Sequence, residues 1–209
     1  GSDKTIHLWN ALAGYIVNSL TGHTAWVTNL AFSPDGQTLA STSTDNTVCL
    51  WDVFSGSLIR TLVGHTDWVI GLAFNPNGKT LASSGWDKII RIWNVADGSL
   101  MRILKGHEHA VSSIAFSPDG KILASSSYDK TIRFWKVSHG SLIRTLEGNK
   151  RLICDIAFSR DGKVLASGGT DEVVKLWNVA DGSHLCTLPG HKSMITNVVF
   201  SPDNKILAS

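Results

Sequence analysis

The sequence predicts an all-β protein made of five copies of one small antiparallel sheet, and three observations lead to this prediction. Tryptophan recurs every 42 residues, at Trp9, Trp51, Trp93, Trp135 and Trp177. Gly-His pairs recur in the same register, at Gly22-His23, Gly64-His65, Gly106-His107 and Gly190-His191, with Gly148-Asn149 in the fourth place. Turn sequences of the type Ser-Pro-Asp-Gly keep the register as well. A fixed period in the forties indicates stacked supersecondary units.

One repeat, residues 22–62, predicts four short strands. Residues 27–33 are rich in apolar and β-branched residues and end in the turn Ser33-Pro34-Asp35-Gly36, which residues 38–43 follow as a second strand. Residues 47–52 form a third strand and residues 57–62 a fourth. Four strands joined by tight turns make a meander.

The predicted strands indicate how these sheets are arranged. The first strand carries apolar residues on both faces, Val27 and Ala31 on one and Leu30 and Phe32 on the other. A strand of this kind is covered on both sides, so each sheet is expected to lie between copies of itself. The fourth strand carries arginine at one equivalent position, as expected for an exposed edge protected by charge: Arg60, Arg102 and Arg144. The sequence therefore predicts a ring of sheets that are arranged radially.

The repeat resembles the WD40 family. It runs from Gly-His through an apolar strand ending in Ala-Phe-Ser-Pro-Asp-Gly, to Leu-Ala-Ser, and on to Asp-x-Thr-Ile/Val-x-Leu-Trp-Asp or Trp-Asn. The final pair is Trp-Asp only at Trp51-Asp52, a departure common in the family. The resemblance covers essentially all of residues 1–209 and implies a single WD40-type β-propeller domain, or a five-repeat segment of one, with four strands in each blade.

Composition narrows the classes of partner and compartment. The chain has 209 residues, 43% of them apolar and 17% charged, and a formal charge of +2 without a long basic run. We therefore expect neither nucleic-acid nor membrane binding. Cys49, Cys154 and Cys186 fall at different repeat positions and predict buried free thiols in a reducing compartment, hence a cytoplasmic protein.

Each repeat also holds a histidine (an asparagine in the fourth), a serine, an aspartate and a tryptophan at constant spacing, and we call each set a tetrad. The resemblance implies that each tetrad is a buried hydrogen-bonded chain that stabilises its blade. Five equivalent copies favour this structural role over a catalytic triad, because a hydrolase needs one nucleophile and an oxyanion hole. No catalytic residue, metal site or cofactor is predicted. The five sets are His23, Ser41, Asp45 and Trp51; His65, Ser83, Asp87 and Trp93; His107, Ser125, Asp129 and Trp135; Asn149, Ser167, Asp171 and Trp177; and His191, Ser209, Asp3 and Trp9.

Two details of the tetrads stay open in the sequence. Ser41 and Ser43 point to the same face of their strand, so either is a candidate member. In the fourth repeat Asn149 replaces the histidine, and we expect that blade to be the least stable, by about 1 kcal/mol if one hydrogen bond is lost.

The fifth tetrad is divided between the two ends of the chain. Residues 190–209 would supply the two inner strands of a shared blade, and residues 1–20 the two outer strands. Three outcomes are open: a closed five-bladed ring, self-association that pairs half-blades from different copies, or a piece of a longer array.

Six side chains are candidates for partner binding. Trp86 and Tyr128 align with Thr44 and Thr170, so aromatic residues there are expected to be exposed and to anchor a partner. Trp26 and Trp68 align with apolar residues of the other repeats. The alternative to partner binding is therefore that these side chains pack under the Gly-His loop. Lys150 and Arg151 are a basic pair, for which a solvated loop is the alternative.

These observations favour a non-enzymatic scaffold that presents loops to a protein or peptide. One alternative is a targeting or regulatory segment of a longer multidomain enzyme or signalling protein. A hydrolase that uses one His-Ser-Asp set is a distant alternative.

Overall fold

The computed structural model describes residues 1–209 as twenty β-strands without a helix. The strands are β1 Ile6–Trp9, β2 Ile16–Leu20, β3 Val27–Phe32, β4 Thr38–Ser43, β5 Thr47–Asp52, β6 Leu58–Val63, β7 Val69–Phe74, β8 Thr80–Gly85, β9 Ile90–Asn94, β10 Leu100–Leu104, β11 Val111–Phe116, β12 Ile122–Ser127, β13 Ile132–Lys136, β14 Leu142–Leu146, β15 Ile153–Phe158, β16 Val164–Gly169, β17 Val173–Asn178, β18 His184–Pro189, β19 Val199–Phe200 and β20 Leu207–Ala208. This is the predicted all-β propeller architecture.

The strands form four complete blades and two half-blades. Blade 1 consists of β3–β6, blade 2 of β7–β10, blade 3 of β11–β14 and blade 4 of β15–β18, each an antiparallel meander in chain order. The N-terminal half-blade is the β1–β2 sheet, and the C-terminal half-blade is the β19–β20 sheet.

The meander places its connections at two opposite faces of the molecule. In each blade the turn between the second and third strands lies at the same end as the Gly-His segment that enters the next first strand; we call this the Gly-His face. The turns that join the first to the second strand and the third to the fourth lie at the opposite face.

The apolar core lies between adjacent blades. One cluster joins Ile90 and Ile92 of blade 2 to Val111 and Ile114 of blade 3, all of them buried. The inner strands of blades 2–4 are therefore covered on both sides, as the sequence predicts, and each blade depends on its neighbours for its burial.

The seam between the two half-blades differs from the expectation of one shared blade. β1 pairs with β2 and β19 with β20, in separate sheets. On β3, Leu30 is 48% exposed, whereas its equivalents Leu72 and Ile114 are 8% and 5% exposed. The physical reason is that no preceding blade covers that side of β3, so the fifth blade is not completed within this chain.

Three features of the structure concern membrane spans, cysteines and metal ions. The structure contains no helix able to cross a membrane. The three cysteines are free, and only Cys49 is fully buried. No group of three or more His, Cys, Asp or Glu side chains is arranged to hold a metal ion.

Candidate functional site

The tetrad of blade 1 is a continuous hydrogen-bonded chain. The Trp51 Nε1–H donates to Ser41 Oγ at 2.8 Å, and Ser41 Oγ lies 2.8 Å from His23 Nε2. His23 Nδ1 lies 2.9 Å from the Asp45 carboxylate. Since a carboxylate only accepts, Nδ1 carries the proton and Nε2 accepts from the serine hydroxyl. Ser41 is thus the tetrad member, while Ser43 Oγ accepts from the Asp45 backbone N–H.

Blades 2 and 3 repeat this geometry. The tryptophan N–H to serine distance is 2.8 Å in both blades. The histidine Nδ1 to aspartate distances are 2.9 Å at His65 and 2.7 Å at His107. Each chain satisfies its four buried polar groups together, which is the structural role that the resemblance implies.

Blade 2 adds a cation to the chain. Arg91 Nη1 lies 2.7 Å from the Asp87 carboxylate, which also binds His65. Burial by itself raises the pKa of Asp87, but the hydrogen bonds and charges of His65 and Arg91 outweigh burial and lower this pKa to about 2. Burial lowers the pKa of His65 despite the nearby aspartate. Asp87 is therefore ionised and His65 neutral at physiological pH.

These serines are poorly placed for catalysis. Ser41, Ser83 and Ser125 are each 0% exposed. Each serine oxygen already accepts from a tryptophan N–H, so a substrate carbonyl has no path to it. The arrangement fits a structural hydrogen-bonded chain better than a hydrolytic site.

Blade 4 replaces the histidine by a residue that sequence reasoning missed. Lys175 Nζ lies 2.9 Å from the Asp171 carboxylate and donates to the Gly148 carbonyl oxygen at 3.0 Å. Ser167 Oγ accepts from Trp177 at 2.9 Å. Strand pairing places Lys175 directly opposite Ser167. Arg91 and Arg133 are basic at the same register position beside an intact histidine, so the available signal was a basic residue there together with the missing histidine.

The fifth tetrad is not assembled within this chain. His191 Nε2 lies 2.7 Å from Ser209 Oγ, but no histidine bonds to the Asp3 carboxylate, which keeps the Thr5 hydroxyl bond just as Asp45 keeps that of Thr47. Trp9 is 59% exposed. The division of this tetrad between the separate half-blades accounts for both observations.

A cluster of aromatic rings, exposed except for the half-buried Tyr128, lies on the Gly-His face of blades 2 and 3. The Trp68 and Trp86 ring centroids are 5.7 Å apart, and those of Trp86 and Tyr128 are 6.0 Å apart, both edge-to-face. His109 continues the row at 6.1 Å from Tyr128. We call these four residues the aromatic cluster.

The backbone positions the rings of this cluster. The Trp86 N–H donates to the Trp68 carbonyl at 2.9 Å, so both rings leave the same end of the β7–β8 hairpin. Trp68 is 48% and Trp86 40% exposed. Burial raises the pKa of the Tyr128 phenol, which keeps its hydroxyl protonated as a hydrogen-bond donor.

The remaining predicted binding residues lie on the same face but outside the aromatic cluster. Trp26 is 61% exposed, so it does not pack under its loop; only the small Ala110 does so at this repeat position, at 1% exposure. Lys150 and Arg151 are exposed at the entry to blade 4. His109, which the sequence analysis did not single out, lies two residues after His107 of the Gly-His pair of blade 3.

Comparison with known families identifies the repeat. A family model described as "WD domain, G-beta repeat" matches residues 14–52, 56–94, 98–136, 140–178 and 182–209. These five matches cover most of the chain and agree with the 42-residue period.

Curated relatives match over about one repeat. "Nuclear distribution protein PAC1" of Mycosarcoma maydis is 51% identical over 39 residues, which is 19% of this chain and 9% of that protein. The protein of the same name from Arthroderma benhamiae is 49% identical over 43 residues, 21% of this chain and 9% of that protein. The match thus spans about a tenth of these relatives and concerns the repeat.

Proposed function

Because the chain belongs to the WD domain, G-beta repeat family, we propose that it is a non-enzymatic scaffold that binds a protein or peptide through the aromatic cluster. WD40 repeats generally mediate protein–protein interactions, and the blade core supplies a rigid base for them. No chemistry is required of the tetrads.

The observation that carries this proposal is the exposure of two tryptophans packed edge-to-face at 5.7 Å. Exposed aromatic residues on rigid backbone bury much apolar area at small entropic cost, so they are favoured anchors of interfaces. Blades 1 and 4 carry Thr44 and Thr170 at the position of Trp86, which shows that a blade does not need an aromatic ring there. Lys150 and Arg151 on blade 4 add positive charge to the same face, which favours a peptide with an acidic end.

The test is selection of linear peptides from a displayed random library, followed by titration of the selected peptides. We expect Trp86→Thr, which installs the residue of blades 1 and 4, to weaken their binding by roughly tenfold or more. Equal affinity for the wild-type protein and Trp86→Thr would refute the assignment of this surface.

A matched control is available on the opposite face. Phe54 is 96% exposed in the turn between β5 and β6, and Ala96 and Ala180 occupy its position in blades 2 and 4. Phe54→Ala removes an exposed aromatic ring away from the aromatic cluster and should leave peptide affinity unchanged.

A role as the targeting segment of a longer protein is compatible with this binding face. The one-repeat match to the PAC1 proteins supports the repeat class, and we transfer none of those proteins' partners to this chain. A cytoplasmic location remains a prediction.

We also propose that the uncovered side of β3 is covered by a second copy of the chain. Leu30 and Phe32 are 48% and 56% exposed there, and the C-terminal half-blade leaves Val199 59% exposed. Unpaired strand edges and exposed apolar faces favour such pairing. Light scattering should give a multiple of the chain mass, and Phe32→Lys should shift it toward the monomer; a monomer at all concentrations would contradict the proposal.

A further inference from the structure

A groove between blades 3 and 4 opens on the face opposite the aromatic cluster. It has a volume of about 610 Å³, within the range of small-molecule sites. Its floor includes Phe134, which packs in parallel against Phe158 with ring centroids 6.1 Å apart. Ile143 and Leu185 form its rim. Seven of its eleven lining residues are apolar, against three of eight in the equivalent groove between blades 1 and 2.

The charged residues of this groove have one sign. Arg144 and Lys163 line it, and no aspartate or glutamate does. Asp181 is near enough for the Arg144 charge to contribute to the lowered pKa of its carboxyl, after the hydrogen bonds from Ser183. Those bonds, from the Ser183 hydroxyl at 2.7 Å and its backbone N–H at 2.8 Å, both fall on Asp181 Oδ1, and no hydrogen bond joins this carboxylate to Arg144.

Arg144 differs from its two repeat equivalents. Arg60 donates to the Ala96 carbonyl oxygen of the next blade at 3.5 Å, and Arg102 donates to the Ser138 carbonyl oxygen. Arg144 Nη1 is buried and has no hydrogen-bond partner. A buried donor without a partner costs free energy, and a guanidinium is shaped to bind a carboxylate.

We propose that this groove binds a small amphiphilic monocarboxylate, with the carboxylate on Arg144 and the apolar chain along Phe134, Ile143 and Leu185. The carboxylate of the ligand accepts a hydrogen bond from the guanidinium of Arg144, and its alkyl chain covers the apolar surface of the groove. The apolar floor selects against strongly hydrated anions such as inorganic phosphate, because their other oxygens would lose water without gaining donors. This site is independent of the peptide-binding face.

The test is a titration of the whole chain with octanoate, monitored by the backbone amide signals of Gly162, Val179 and Ala180. We expect saturable shifts in these signals. Octanol and octylamine have the same chain length without the carboxylate, and they should bind at least tenfold more weakly, as expected for loss of a charged hydrogen bond.

Matched variants separate the site from nonspecific binding. Arg144→Met should weaken octanoate binding roughly tenfold or more, whereas Arg102→Met, at the equivalent position of blade 2, should leave it unchanged. Arg144→Lys keeps the positive charge and should retain part of the octanoate affinity. This variant shows that the loss in Arg144→Met does not come from misfolding of the protein.

Three results would overturn the proposal. They are absence of saturable shifts at millimolar octanoate, equal affinity for octanol, and equal losses in Arg144→Met and Arg102→Met. Binding of a leucine-terminated peptide but not of octanoate would overturn the small-molecule assignment.

Discussion

Lys175 Nζ lies 2.9 Å from the Asp171 carboxylate, in the role that a histidine Nδ1 fills in blades 1–3. Blade 4 thus keeps only the third-strand cation, which Arg91 supplies in addition to the histidine in blade 2. Asn149, at the former histidine position, accepts from the same ammonium at 3.4 Å. Blade 4 therefore keeps a charged link between its turn and its strand, although its histidine is missing.

The first prediction concerns this pair. Lys175→Met should destabilise the protein by about 2–4 kcal/mol, because it leaves the largely buried Asp171 carboxylate without a cation. Urea denaturation measures the effect. Lys175→Arg is the control and should cost less than about 1 kcal/mol, since Arg91 serves the same role in blade 2. If Lys175→Met were neutral, Asp171 would not depend on this cation.

The second prediction compares two tryptophans at one repeat position. Trp93 is 2% exposed and Trp9 is 59% exposed. Trp93→Ala should cost about 3–5 kcal/mol, because it removes a large ring from between two blades. Trp9→Ala should cost about 1 kcal/mol or less in the monomeric chain. Thermal and urea unfolding measure both variants, and similar losses would show that a neighbour covers Trp9 in solution.

The third prediction is a loss of stability in acid through two steps. The folded protein holds the pKa of His65 below its ordinary value, so the unfolded chain binds more protons as the pH falls below about 6.5, and stability declines. The pKa of Asp87 is lowered to about 2, so its stabilising contribution is complete above its ordinary value and is lost as the pH falls toward 2.

Urea midpoints measured from pH 8 to pH 3 test this dependence. His65→Asn should reduce the decline around pH 6 relative to the wild-type protein. A wild-type midpoint that stays constant from pH 7 to pH 5 would mean that His65 titrates normally in the folded state.

The fourth prediction concerns the serine of a tetrad. Ser83→Ala should destabilise the protein by about 1–3 kcal/mol, because it leaves the buried Trp93 N–H and the His65 ring without their shared partner. No esterase or peptidase activity should exist to be lost. An activity in the purified protein that Ser83→Ala alone removes would contradict the scaffold proposal.

Much of the blade was predictable because it depends on local order. The strand pattern, the turn residues and the spacing of Trp93, Ser83 and His65 all depend on contacts within one blade. Because the same features recur in every repeat, the repeats support one another as evidence for the blade geometry. The exposure of Trp86 was predictable for a related reason, since Thr44 and Thr170 show that its position needs no apolar side chain.

The sequence by itself determined the blade, its tetrad and the aromatic residues on the Gly-His face, because these follow from contacts within one repeat or between adjacent repeats. Only the tertiary structure decided that Lys175 replaces the histidine of blade 4, that Arg144 is left without a partner, and that Trp9 is exposed. These features depend on where flexible side-chain ends lie and on how blades meet across an interface, and the repeat pattern specifies neither. A lysine or arginine reaches several acceptors from one backbone position, so packing, rather than residue type, selects its partner.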